Sequence, residues 1–186
     1  MIPREEALQL LLGHNPEEHL VHHALASEAV MRHLAQFFGE DADLWGLTGL
    51  LHDIDFPYTK DSPERHGAMA AELLPDTLPA AMLQAIRAHN SEYTGHEPSS
   101  RLDHALRCAE SVTGLVCTNA LVRPEGMDGM QPKSLKKKMK DKAFAASVNR
   151  DRIRECETVG LELGDFFQIA IDAITPIAGS VGLAKR

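Results

Sequence analysis

The stretch Gly49-Leu-Leu-His-Asp-Ile-Asp55 closes an apolar helical pattern that begins at Leu44. Pro57 cannot continue an α-helix, because it has no backbone N–H and its ring clashes with the preceding turn. The neighbours His52 and Asp53 are therefore expected at a helix terminus. Imidazole and carboxylate are both common metal ligands, so this helix end is the first candidate for a metal site.

Helix signals dominate both sides of this stretch, and the alternation typical of strands is nearly absent. Asn15 followed by proline and two glutamates is typical of a helix start and Gly39 of a helix end, so a long helix is predicted over about 16–38. Further helices are predicted from Asp41 or Asp43 to about His52, from Ser62 to about Leu74, from Pro79 to about His89, from Arg101 to about Leu121 and from about Asp165 to Ile174, with a loop over 90–100. With no repeat and no long linker, the sequence predicts one all-α domain over residues 1–186, a single compact bundle of about seven or eight helices.

The composition fits a single domain without disulfide bonds. A chain of 186 residues with 44% hydrophobic residues can form its own core. Cys108, Cys117 and Cys156 lie far apart and form no CxxC pair, which is typical of a reducing cytoplasm. The N-terminus has no signal-peptide pattern and no apolar stretch reaches membrane-spanning length, so a cytoplasmic protein without a membrane partner is expected.

The charge of the chain bears on its partners. The formal net charge is -8, and because nucleic-acid binders concentrate positive charge, no nucleic-acid polymer is expected as the main partner. A small anionic substrate remains compatible with this charge. One basic run over 133–142 is predicted to be a solvated helix face or a mobile loop, with local steering of an anion as the alternative.

Ten histidines are a high number for this length, and helical spacing separates those that face inward. His23 shares its helix face with Ser27 and Val30, whereas His22 lies on a more polar face. His23 is therefore the expected ligand inside the bundle. His19 precedes it by about one turn and is expected at the surface.

Two more polar residues, His89 and Glu110, lie on apolar faces of predicted helices. A lone histidine in that position is more often a hydrogen-bonded core residue than a ligand. A buried unpaired carboxylate is costly, so Glu110 is expected to meet a cation, a hydrogen-bonding network or a metal. Arg107 is the structural alternative as its partner, and Asp103 is a second carboxylate that can reach the same site.

His23, His52, Asp53 and an acid near position 110 supply nitrogen and oxygen ligands from three predicted helices, with Glu110 or Asp103 as that acid. This donor set suits a divalent ion such as Mn, Mg, Fe, Ni, Co or Zn, and incomplete coordination by the protein leaves positions for water and substrate oxygens. Such a site is suited to hydrolysis.

With these residues the sequence resembles the HD superfamily of metal-dependent phosphohydrolases, whose signature is a histidine, a later His-Asp pair and a distant aspartate. The segment from Gly49 to Asp55 is similar to the HDIG-type core, and His23 matches the first histidine. The resemblance covers about 15–125, the expected metal-site core, and C-terminal helices over 134–180 are expected to pack on it. The chain departs from the pattern at Glu110, where an aspartate is expected.

The resemblance implies a mechanism and further roles. Water activated by one or two divalent ions would attack the phosphorus of a small phosphate ester or nucleotide, with Asp53 among the catalytic residues. His66 and His89 resemble additional histidines of the superfamily, which bind a second metal or act as proton donors and phosphate contacts. Asp55 is expected to orient a ligand histidine or the attacking water.

Two cations complete the expected site. Lys60 and Arg65 are expected to bind the substrate phosphate, because negative charge accumulates on its oxygens during transfer. Their alternative role is that of ordinary surface cations. The expected partner is a small phosphorylated substrate, and a homodimer is compatible with the sequence.

Glu110 also leaves other functions open. If glutamate in place of the family's aspartate has removed turnover, the chain is a metal-stabilised binding or regulatory domain. A purely structural helical module and an iron-dependent oxidation are two further alternatives.

Overall fold

The computed structural model describes residues 1–185, and within that range every regular element is a helix. The eleven α-helices are α1 (Arg4–Gly13), α2 (Glu18–Phe38), α3 (Ala42–Leu51), α4 (Phe56–Thr59), α5 (Ala70–Leu73), α6 (Ala80–Ala88), α7 (Ser91–Thr94), α8 (Arg101–Leu121), α9 (Pro132–Lys140), α10 (Arg150–Arg154) and α11 (Leu163–Ile174), followed by a 3-10 turn (Thr175–Ile177). The all-α prediction is confirmed. None of these helices is both long and apolar enough to span a bilayer.

The long helices α2 and α8 form the centre of the fold. Helix α2 packs against α3, α8 and α11, and α8 also contacts α6 and α10. The largest fully buried side chains come mainly from α2, α3, α6, α8 and α11 and include Met31, Leu50, Leu51, Ile86, Leu106, Leu115, Phe166 and Phe167. One continuous core therefore lies beneath α2, α3, α6 and α8.

Helix ends follow the signals seen in the sequence. Gly39 ends α2 with φ 71°, a left-handed conformation that glycine adopts without strain. The Asp41 side chain accepts hydrogen bonds from two backbone N–H groups at the start of α3. At the start of α8, Ser100 and Asp103 form a reciprocal capping box.

A close approach of α3 to α2 depends on Gly49. A Cβ atom at this position would lie 2.8 Å from the backbone oxygen of Ser27. Because glycine has no Cβ, the two helices can pack backbone against backbone, and the imidazole rings of His23 and His52 come to a centroid separation of 5.1 Å. The glycine before the His-Asp pair thus positions the pair against α2.

The predicted number of helices, seven or eight, is too low for residues 1–185. Single-turn helices such as α4 and α7 are too short to show a helical period, and α7 lies in the predicted loop. The helix predicted from Ser62 is also wrong in extent, since only Ala70–Leu73 is helical and Gly67, with φ 83°, interrupts the preceding turns. The prediction of a single domain includes residue 186, outside the described residues, and stays a prediction.

Candidate metal centre

His52 offers a buried nitrogen that lacks a partner. It follows the last residue of α3, and its Nδ1 donates a hydrogen bond to Gly49 O at 2.8 Å, which leaves Nε2 as the free ring nitrogen. Nε2 is buried and has no hydrogen-bond partner within residues 1–185. A buried polar atom without a partner costs free energy, so a metal ion at Nε2 fits this position.

The Asp53 carboxylate lies among four histidines. Its Oδ1 is 3.3 Å from His52 Nε2, 3.2 Å from His66 Nε2 and 3.5 Å from His89 Nε2. Its Oδ2 is 3.8 Å from His23 Nε2. Burial acts to raise the pKa of Asp53, but the imidazoles of His52, His66 and His89 beside its carboxylate outweigh burial and hold the pKa well below its usual value. Asp53 is therefore an anion in this site.

The five residues form two overlapping ligand groups. His23, His52 and Asp53 form one group, and Asp53, His66 and His89 form the other; within each group the ligand atoms lie within 4.8 Å of one another. Two imidazoles and a carboxylate per group suit a borderline divalent ion. Since Asp53 belongs to both groups, the donor set fits two metal positions that share one carboxylate.

Hydrogen bonds fix the orientation of the histidines in the second group. His89 donates from Nδ1 to Ile86 O at 2.5 Å, so its Nε2 points at His66 Nε2, 3.0 Å away. His66 donates from Nδ1 to Asp55 Oδ1 at 2.9 Å, which agrees with the expectation that Asp55 orients a candidate ligand histidine. Because the Nδ1 atoms of His66 and His89 are bound to these acceptors, the Nε2 atoms of both rings face Asp53.

The four histidines differ in their affinity for protons. Burial lowers the pKa of His23 and of His89, and neighbouring imidazoles add to this effect. Burial acts in the same direction on His52 and His66, but there the carboxylates outweigh it. Hydrogen bonds to Asp53 and Asp55 raise the pKa of His66 to about 10. Without a metal, His66 is thus the cationic partner of two aspartates.

Gly67 is a site residue that the sequence analysis missed. With φ 83° it is in the left-handed region, and a Cβ atom there would lie 2.7 Å from Ile86 O and 3.2 Å from the His89 ring. Its N–H donates to Asp55 Oδ2 at 2.7 Å. The sequence did contain a signal for this turn, because a glycine stands directly after His66. The turn holds His66 beside His89.

Glu110 lies outside both ligand groups. Its Oε1 accepts a hydrogen bond from Arg152 Nη1 at 3.2 Å and one from Ser111 Oγ at 2.6 Å. A cation partner is therefore present, but it is Arg152 and not Arg107. The Arg107 guanidinium pairs instead with Glu92 and Glu155. Ligation by Glu110 stays a prediction.

Asp103 is engaged at the start of α8. Its carboxylate accepts hydrogen bonds from the backbone N–H groups of Ser99 and Ser100 and from the Ser100 hydroxyl. The structure thus uses this second carboxylate as a helix cap and does not bring it into either ligand group.

The other candidates lie at the surface. Lys60 is exposed and lines a small cavity beside Phe56, and Arg65 is exposed with a 3.6 Å contact from Nη2 to the Met69 sulfur. The structure brings neither of them into the ligand groups, and their roles as phosphate contacts stay predictions. His19 has 71% of its side chain exposed, as expected.

Comparison with known proteins places this cluster in a family. The family model of the HD domain matches residues 20–140, a range that includes both ligand groups and Glu110. No curated protein and no solved structure matches the chain. Since the matched range covers more than half of the sequence, the chain belongs to the HD-domain family.

Proposed function

We propose that the protein is a metal-dependent phosphohydrolase that acts on a small phosphate ester or nucleotide. The observation that carries this proposal is the sharing of Asp53 between two groups of imidazole ligands. A divalent ion bound there lowers the pKa of a coordinated water and polarises a phosphoryl oxygen. HD-domain membership agrees with this chemistry.

The residues of the chain are arranged in advance for this role. Backbone oxygens of Gly49 and Ile86 hold His52 and His89 with Nε2 toward Asp53. Fixed ligands lose little conformational freedom when an ion binds. His66 serves as a second ligand or, with one ion bound, as a proton donor to the leaving oxygen, and its Nδ1 hydrogen bond to Asp55 orients the ring for either role.

One observation favours a second function. Arg152 and Ser111 both bind Glu110, the residue that stands in place of the family's final aspartate. If this ion pair persists when a metal is bound, the site lacks its last carboxylate ligand. The chain would then be a metal-stabilised binding or regulatory domain without turnover.

Elemental mass spectrometry of the purified protein tests the metal site first. Wild type is compared with His52→Ala and Asp53→Ala, and with His19→Ala as the matched surface control. We expect near-stoichiometric divalent metal in wild type and in the control, and loss in the other two variants. Absence of metal from wild type after incubation with Mn, Ni or Fe contradicts both functions.

Turnover separates the two functions. The metal-loaded protein is assayed against phosphate monoesters and nucleotides, beside a Glu110→Asp variant. Hydrolysis by wild type supports the phosphohydrolase. Hydrolysis by Glu110→Asp alone shows that the natural chain is the binding domain.

A further inference from the structure

A cavity of about 220 Å³ adjoins the ligand groups on the side of α8 and α10. His23 and Glu110 line one part of it, and Ser147, Asn149 and Arg152 line another. Arg152 lies beyond the residues 20–140 that match the HD-domain model, so this wall belongs to the C-terminal part of the chain.

A second cavity touches His23 from the direction of the C-terminal segment, and its lining is suited to a different ligand. Leu121, Val181 and Leu183 make its walls largely apolar. Of these two cavities, the first has a guanidinium in its lining and the second has none among residues 1–185. A phosphate group needs charged or hydrogen-bonding donors, so the first cavity is the better place for a phosphorylated molecule.

Arg152 is held in one orientation by its neighbours. Its Nε and Nη2 donate to the two carboxylate oxygens of Glu92 at 3.0 Å and 2.6 Å, and Glu92 is itself bound by Arg107 Nη2 at 2.8 Å. The remaining nitrogen, Nη1, donates to Glu110 at the cavity wall. Only 15% of the Arg152 side chain is exposed. A guanidinium fixed in this way loses little entropy when it binds an anion.

Resting on the proposed function, we propose that Arg152 binds the phosphate group of the substrate in this cavity. The cavity selects a compact, hydroxyl-bearing phosphate monoester over a nucleotide. Arginine donors match phosphate oxygens in geometry and charge. Arg152 is a binding residue in this role, and it acts on the same phosphate as the ligand groups beside His23.

The size of the cavity and the residues that line it favour a compact substrate. A volume of about 220 Å³ is below the roughly 300–1,000 Å³ of cavities that enclose larger organic ligands. The Ser147 hydroxyl supplies a donor and an acceptor for hydroxyl groups, and the Asn149 amide N–H₂ supplies a donor, since Asn149 Oδ1 caps α10. Nucleobases are commonly stacked on aromatic side chains, and no Phe, Tyr or Trp is among the described residues that line this cavity.

Calorimetric titration with inorganic phosphate tests the role of Arg152 without requiring turnover. The metal-loaded wild type is compared with Arg152→Lys, Arg152→Ala and Arg154→Ala, the last an exposed arginine of the same helix that pairs with Glu157. We expect phosphate binding to weaken by about tenfold or more in Arg152→Ala, less in Arg152→Lys, and to stay unchanged in Arg154→Ala. Wild-type affinity in Arg152→Ala overturns the inference.

Steady-state kinetics tests the substrate class. Glycerol 1-phosphate and ribose 5-phosphate represent compact esters, and adenosine monophosphate represents nucleotides. We expect kcat/KM to be higher for the compact esters by about tenfold or more, and Arg152→Ala to raise KM more than it lowers kcat. An equal or higher kcat/KM for the nucleotide overturns the size argument.

A second variant covers the case in which Arg152→Ala loses its fold together with its contacts to Glu92 and Glu110. Ser147 is exposed and lines the cavity, so Ser147→Trp narrows the cavity and leaves that network in place. We expect weaker glycerol 1-phosphate binding at an unchanged Tm, and unchanged binding overturns the inference. If wild type hydrolyses no ester, the proposed function fails while the phosphate titration still decides the role of Arg152. If wild type hydrolyses esters and both variants equal it, only this inference fails.

Discussion

Oδ1 of Asp53 and Nε2 of His66 lie 3.2 Å apart, and this contact links the His-Asp pair after α3 to the turn that precedes α5. Asp53 belongs to both ligand groups, whereas His66 belongs to one. The two residues therefore differ in how many metal positions depend on them.

Metal stoichiometry should show this difference. After equilibration with Mn, we expect two ions per chain in wild type, one in His66→Ala and none in Asp53→Asn, because the amide is a weaker ligand for both positions. His22→Ala, which removes the sequence neighbour of His23 outside both groups, serves as control. Equal metal content in His66→Ala and wild type would contradict a metal position at His66.

Asp55 connects the second ligand group to the backbone. Its carboxylate is fully buried and accepts hydrogen bonds from His66 Nδ1 and from the N–H groups of Gly67 and Ala70. In Asp55→Asn an amide N–H₂ faces one of these donors, so we expect the free energy of unfolding of the metal-free protein to fall by about 1–3 kcal/mol. Urea unfolding measures this change. The exposed Asp172→Asn is the control and should unfold like wild type.

The sequence was informative about features that depend on a single helix, such as the face on which a histidine lies. The spacing around His23 was enough to prefer it to His22, because the faces of one helix follow from its period alone. In the structure His23, and not His22, lies in a candidate ligand group, and its role as a ligand stays a prediction. The position of His52 directly after α3 was likewise predictable from Pro57 and the apolar run before it.

Ion pairs between residues far apart in the chain could not be predicted from the sequence. Arg107, one turn before Glu110, was the structural alternative that local spacing offered, but the cation that binds Glu110 is Arg152, separated from it by 42 positions. Arg107 instead bridges Glu92 and Glu155. These choices depend on how α7 and α10 pack against α8, and helical periodicity contains no information about that packing.

The packing of α3 against α2 allows no side chain at position 49. In Gly49→Ala the new Cβ would lie 2.8 Å from Ser27 O, and backbone cannot move aside as a flexible side chain can. We expect a loss of stability of about 1–3 kcal/mol, seen as a lower Tm in circular dichroism. Gly13→Ala, at a helical position where no packing neighbour among residues 1–185 lies within 4 Å of the new Cβ, should be neutral or slightly stabilising. Equal Tm values for the two variants would contradict the close approach.

Glu92 makes the stability of the metal-free protein depend on pH. Burial acts to raise the pKa of Glu92, but hydrogen bonds from Arg152 and Arg107 outweigh burial and hold the pKa below its usual value of 4.5. Since the carboxylate binds protons more weakly in the folded state than in the unfolded state, its contribution is fully present above pH 4.5 and is lost as the pH falls below that value.

Urea unfolding at a series of pH values from neutral to acid tests this linkage. We expect Glu92→Gln to be less stable than wild type at neutral pH and the two curves to converge in acid, because protonation removes from wild type the charge that the variant already lacks. The exposed Glu97→Gln is the control and should follow wild type throughout. A constant difference between Glu92→Gln and wild type at every pH would show that the loss comes from packing, and that the two arginines do not stabilise the Glu92 charge.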